Sequence, residues 1–120
     1  MRVLIVDDTS RARQSMKALL EIWHRPEEIH EAANGSEAIQ SVEESQPDII
    51  LMDARMPTMS GLQATRLIKA KWPQIKIVIL SVFTDYQALA LAAGADAFVS
   101  KSDPPEKLRE TLKDILAGME

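Results

Sequence analysis

"VLIVDDTS", residues 3–10, runs four apolar residues straight into two adjacent carboxylates, Asp7 and Asp8, and then into hydroxyl residues of the kind that open helices. A short unbroken run of branched apolar residues suits a strand buried on both faces, the habit of a parallel sheet. The run recurs as "DIILM" (48–52), "KIVIL" (76–80) and "DAFVS" (96–100), with a more polar candidate, "EIHEA", at 28–32. Between these strands the apolar residues switch to helical spacing. Ala12, Met16, Leu19, Leu20 and Trp23 mark one helix face, Ala38, Ile39 and Val42 a second, and Leu62, Thr65, Leu67 and Ile68 a third. Leu89, Ala90, Ala92 and Ala93 mark a fourth that stops at Gly94, and "SDPPEKL" opens a fifth carrying Leu108, Leu112, Ile115 and Leu116. "ANGSEA" (33–38) reads as a turn followed by a Ser36 cap. Strict alternation of strand and helix requires parallel strands joined by right-handed crossovers, so the expected class is α/β, one doubly wound five-stranded parallel sheet with five helices.

Composition narrows what such a sheet can do. A chain of 120 residues suits one domain, expected to span 1–120. A net charge of −4 argues against direct binding to nucleic acid or to acidic membranes. There is no cysteine and there are only two histidines, so any metal is expected to be held by oxygen. "MRVLIV" is too short an apolar stretch for a secretory signal or a membrane span, which makes the cytoplasm the default address.

Ligands of doubly wound sheets bind outside the carboxyl ends of the strands. Asp7 and Asp8 follow the first strand, Asp53 the third, Ser81 the fourth and Lys101 the fifth, whereas Asn34 and Gly35 after the second read as turn residues. Taken singly, the Asp pair could cap a helix, Lys101 could be a solvated surface group and Ser81 a strand-end hydroxyl bonded to backbone. At one rim they make an all-oxygen cation site suited to Mg2+. Two bare carboxylates about 4 Å apart repel by roughly 4 kcal/mol at an effective dielectric of about 20, so positive charge has to sit among them. Asp53, held at the end of a buried run, is placed to act as a nucleophile toward phosphorus, with the ion and Lys101 neutralising the incoming charge and Ser81 bonding a phosphoryl oxygen only in the modified state.

These residues resemble the receiver domains of two-component response regulators. The resemblance spans the whole chain and is carried by "VDD" at 6–8, "LMDARMPTMSG" at 51–61, "ILS" ending at Ser81 and "AGADAFVSK" ending at Lys101. It implies a flavodoxin-like sheet of order 2-1-3-4-5, with the polar second strand at an edge. It also implies that Asp53 is the phosphoacceptor, that Asp8, Asp53 and the main-chain carbonyl of Arg55 bind Mg2+, and that Asp7 supports the ion through water. Lys101 would pair with the phosphoryl group. Ser81 and Phe98 stand at the family's switch positions, whose movement would alter the surface of the fourth helix, fifth strand and fifth helix. The implied partners are a sensor histidine kinase or phosphotransfer protein as donor and an output domain or protein as target, with a homodimer as a further state. Glu120 lies where such a domain normally ends. Three departures stand out. Ser102 follows Lys101 where the family usually has a proline in a cis peptide, with prolines only at Pro104 and Pro105; Phe98 lacks a tyrosine's hydroxyl; and Arg55, where the family tunes phosphoryl lifetime, is expected to point to water.

An Asp-nucleophile phosphatase of the haloacid dehalogenase type is the alternative, but it wants a second acid where Arg55 stands. A flavin module would need a hydroxyl- and glycine-rich phosphate loop after the first strand, where Asp7 and Asp8 would repel phosphate. Met52, Met56 and Met59 read as packing and loop anchors, because thioethers suit a hard cation poorly. His24 and His30 are expected at the surface near the opposite rim, and Trp72 before Pro73 as a helix end folding onto the sheet's lower edge. Tyr86, Leu89 and "ALALAAGA" outline a helix with one core side and one side open to a partner.

Overall fold

The computed structural model of the chain describes residues 1–119. Strands and helices alternate as β1 (Arg2–Val6), α1 (Ser10–Trp23), β2 (Glu28–Ala32), α2 (Gly35–Ser45), β3 (Ile49–Asp53), α3 (Gly61–Lys71), β4 (Lys76–Ser81), α4 (Tyr86–Ala92), β5 (Ala97–Ser100) and α5 (Pro105–Ala117). All neighbouring strands are parallel, in the order β2-β1-β3-β4-β5. The winding reverses between β1 and β3. Their register, Val6 beside Met52, sets the two carboxyl ends level at that crevice.

Period-two alternation along the central strands feeds two cores. Leu4, Val6, Ile50, Met52, Ile77 and Ile79 pack with Ala38 and Val42 of α2, Leu62 and Ile68 of α3 and Ala90 of α4. Val3, Ile5, Ile49, Leu51, Val78, Leu80 and Val99 turn the other way, onto Leu20 of α1 and Leu108 and Leu112 of α5. Strands covered on both faces need apolar residues at every position, which is why β1, β3 and β4 read as unbroken runs. Each such Leu or Ile removed from water contributes about 1.5–3 kcal/mol. Strand β2 lies at the edge, and Glu28, His30 and Glu31 are exposed.

Several local expectations are corrected. The α2 cap is Asn34, not Ser36: Asn34 is extended, its Oδ1 accepts the Glu37 N–H at 2.9 Å, and Glu37 Oε1 accepts the Ala33 N–H at 3.1 Å. Such a pair needs a Glu or Gln three residues after the cap, which Asn34 has in Glu37 and Ser36, followed there by Ile39, lacks. Leu67 is 52% exposed, because at 3.6 residues per turn it lies opposite the stripe of Leu62, Thr65 and Ile68. Asp48 and Asp96 precede their strands rather than opening them. Asp48 Oδ2 accepts the Arg2 N–H at 2.8 Å, and Asp96 Oδ2 accepts the Ile77 N–H at 2.9 Å. His24 is half-buried with Nε2 shielded from water, and burial with the nearby Arg109 charge lowers its pKa.

Other expectations hold. Gly94, at φ +105°, follows the end of α4, and Pro105 occupies the first turn of α5. Trp72 caps α3 and packs against the core, as do Met56 and Met59. Among the described residues there is no cis peptide bond, and no helix is long and apolar enough to cross a membrane.

Candidate functional site

Backbone pairing delivers the rim residues to one place. The Asp7 N–H donates to the Ala32 carbonyl at 3.1 Å, carrying the β1–β2 ladder one residue past β1. The Lys101 N–H donates to the Ser81 carbonyl at 2.8 Å and does the same beyond β5. Asp53 and Ser81 are the last residues of β3 and β4. Asp53 is further fixed by α3. A Cβ on Gly61 would lie 2.0 Å from the Asp53 carbonyl oxygen, so only glycine lets α3 start this close. Ser60 then caps α3 in a reciprocal box with Gln63.

The side chains converge accordingly. Lys101 Nζ lies 2.8 Å from Asp7 Oδ2 and 3.3 Å from Asp53 Oδ1. Asp7 Oδ1 accepts from the Thr9 N–H at 3.0 Å and from Thr9 Oγ1 at 3.1 Å. One carboxylate oxygen each from Asp7, Asp8 and Asp53 falls within 4.8 Å of the others. Asp7 is buried, Asp53 partly buried and Asp8 exposed. Asp8 makes no hydrogen bond or ion pair among the described residues, and its carboxylate is free to take a ligand from solvent.

Three acids against one ammonium leave the cluster negative, and its members respond differently. Burial raises the pKa of Asp53, reinforced by the charges of Asp7 and Asp8 and opposed by Lys101. Burial also works against ionised Asp7, but hydrogen bonds from Lys101 and Thr9 outweigh it and hold that carboxyl below its usual range. For Lys101, burial is outweighed by its bonds to Asp7 and Asp53, which keep the ammonium protonated. The donor set is all oxygen and has one acid exposed, which fits a hard divalent cation such as Mg2+.

Beside Asp53 a shallow cavity of about 230 Å³ is lined by Arg55, Ser81, Val82, Phe83 and Lys101. Ser81 is buried, and its Oγ accepts the Phe83 N–H at 3.0 Å. Phe83 in turn meets Tyr86 edge-on, with centroids 6.3 Å apart. Arg55 does more than point to water: its guanidinium carbon sits 5.0 Å from the centre of the Phe83 ring. Phe98 is half-buried against the core on the α2–α4 side.

Thus the structure brings Asp7, Asp8, Asp53 and Lys101 together and sets Ser81 and Arg55 on the adjoining wall. Thr9 and Phe83 belong to the site and were not expected there. Thr9 stands where a helix cap is normal, but its side chain serves Asp7 instead. Nothing in the spacing of Phe83 marks it.

The family model described as "Response regulator receiver domain" matches residues 3–113. The transcriptional regulatory protein LnrK of Bacillus subtilis is 31% identical over 120 residues, covering 98% of this chain and 54% of LnrK. The response regulator protein VraR of Staphylococcus aureus is 34% identical, covering 98% of this chain and 57% of VraR. The chain therefore spans about half the length of the curated relatives it matches. Among solved structures, a LuxR-family two-component response regulator from Aurantimonas superposes with a TM-score of 0.88 at 34% identity, covering 98% of this chain and 85% of that one. The response regulator TrrA of Thermotoga maritima, solved with Mg2+ and BeF, gives 0.86 at 33% identity, covering 94% and 96%. Joined to the strand order and the acid cluster, these matches establish that the chain belongs to the family of response regulator receiver domains of two-component signalling systems.

Proposed function

We propose that residues 1–120 form one phosphoacceptor unit in which Asp53 takes a phosphoryl group from a phosphohistidine on a sensor kinase or phosphotransfer protein. A carboxylate oxygen of Asp53 bonds to phosphorus as the phosphorus–nitrogen bond breaks, and the imidazole leaves with its electron pair. Asp8, Asp53 and the Arg55 carbonyl would hold Mg2+, with Asp7 supporting it through water; the ion supplies charge neutralisation at the phosphoryl oxygens. Lys101, 3.3 Å from Asp53 Oδ1, is the observation that carries this reading. It stands ready to pair with the incoming group, while its 2.8 Å bond to Asp7 holds it in place. Water returns the acyl phosphate to carboxylate and inorganic phosphate, which makes the domain a timed switch rather than a turnover enzyme.

To bond a phosphoryl oxygen, the Ser81 hydroxyl must reorient beside the Phe83 N–H it now accepts from. That coupling passes to Phe83, Tyr86 and the start of α4. With Phe98 turning further inward, it alters the surface of α4, β5 and α5, which engages an output domain or protein partner in the cytoplasm. The phosphatase alternative is not favoured, since Arg55 holds the place of the second acid.

Acetyl phosphate with Mg2+ is expected to add one base-labile phosphate, read as a single mass increment, and Asp53→Asn is expected to abolish it. Labelling that persists in that variant would overturn the assignment.

A further inference from the structure

The start of α1 is built against the usual rules for a helix N-terminus. Its first turn carries no acid, and Thr9 at the cap makes no side-chain cap bond because its hydroxyl serves Asp7. Arg11 and Arg13 stand near the end of the helix where the backbone dipole disfavours cations. Arg11 is exposed and bonds to nothing among the described residues. The Arg13 side chain is only 17% exposed and makes two hydrogen bonds. Its Nη1 donates to the Asp7 carbonyl oxygen at 2.7 Å and its Nε to Glu31 Oε1 at 3.0 Å.

That carbonyl belongs to the peptide plane joining Asp7 to Asp8. Fixing it fixes the direction in which the chain leaves Asp7, and so where Asp8 presents its carboxylate. Asp8 is otherwise the least constrained acid of the cluster, exposed and free of protein partners among the described residues. Glu31 completes the device. It pairs with Ile5 across the ladder and shares a face of β2 with Ile29, which packs on the α1 side. A carboxylate on that side neutralises the guanidinium and tethers it, so that Arg13 does not swing round to occupy the Asp8 oxygens itself. Hydrogen bonds from a charged donor are roughly twice as strong as neutral ones, and a planar guanidinium reaches two acceptors that one ammonium cannot serve in the same geometry.

We propose that Arg13, tethered by Glu31, is a positioning residue for the Asp7–Asp8 pair and sets the affinity of the acid cluster for a divalent cation; this rests on the cluster being the Mg2+ site. The step runs through geometry rather than charge: removing Arg13 leaves Glu31 unpaired, and that added negative charge by itself would strengthen cation binding, so a weaker affinity reports the lost positioning.

The test measures Mg2+ binding to the unphosphorylated protein, from amide shifts in a titration followed by NMR, beside thermal melting in chelated buffer. Arg13→Met is expected to weaken Mg2+ by about tenfold, the lower end of what partners of metal ligands contribute. In the metal-free spectrum its shifts should stay local to residues 7–13 and the end of β2. Arg13→Lys should fall between Arg13→Met and the wild type, and it carries the test if Arg13→Met fails to fold. Arg11→Ala, on the same helix end, should bind like the wild type. If Arg13→Met or Arg13→Lys melts lower yet binds Mg2+ as tightly as the wild type, Arg13 is merely structural and the proposal fails. If the wild type itself shows no Mg2+ shifts at Asp8 and Asp53, the metal reading falls and the proposal with it.

Discussion

Replacing Asp53 with Asn removes a charge that the metal-free fold holds at a disadvantage, and the protein should become more stable. At an effective dielectric of about 20, Asp7, with an oxygen within 4.8 Å, repels the Asp53 carboxylate by about 3 kcal/mol, and exposed Asp8 adds about 1 kcal/mol after solvent screening. Lys101 at 3.3 Å returns about 5 kcal/mol. The charges sum to about 1 kcal/mol in favour of the ionised acid, but desolvating a carboxylate whose side chain is 13% exposed costs about 2 kcal/mol and is also the main reason its pKa is raised. A net penalty of about 1 kcal/mol follows, equivalent to a melting point about 3–5 °C higher for Asp53→Asn in chelated buffer at neutral pH. Because the folded-state pKa is raised, folding favours the protonated acid. The gap between variant and wild type is therefore full above that pKa and closes as pH falls through it toward the unfolded carboxylate value. Mg2+ should reverse the order, since a cation at about ten times its dissociation constant stabilises the wild type by about 1.4 kcal/mol and the Asn variant less. Differential scanning fluorimetry with and without Mg2+ reads all of this. An Asp53→Asn protein that melts at or below the wild type in chelator would refute the reasoning.

Two further outcomes are expected. Gly61→Ala would place a methyl 2.0 Å from the Asp53 carbonyl, so α3 must shift; a loss of about 2–3 kcal/mol in urea unfolding is expected, with slower phosphorylation by acetyl phosphate. Asp7→Asn should act opposite to Asp53→Asn, lowering the metal-free melting point at neutral pH by breaking a mostly buried ion pair with Lys101. The Asp7 contribution, its folded pKa being lowered, is present above the unfolded value and lost as pH falls through the folded one, so the two Asp7 forms should converge in acid.

Much of this was legible in the sequence because burial on both faces writes itself into composition. The runs at β1, β3 and β4 could hardly be anything else, and the charged β2 announced an edge. The acids were legible for a related reason: a carboxylate directly after such a run has nowhere to go but the rim. What escaped reading depends on where side chains reach. Asn34 and Ser36 are both good caps two residues apart, and only the partner acid at Glu37 decides between them. Leu67 looked inward because it is apolar, although its angle on α3 turns it out. Thr9 and Arg13 look like ordinary helix-start residues until Asp7 is placed between them. The stack of Arg55 on Phe83 joins two loops, β3–α3 and β4–α4, that no local pattern connects.

The sheet's two outer strands carry a last implication. One borders solvent with Glu28, His30 and Glu31, and the other, Ala97–Ser100, is only four residues long. Charge and shortness both discourage a neighbouring chain from adding itself in register. A continuous sheet running from one copy into the next, which once seeded tends to persist, is therefore disfavoured at either edge.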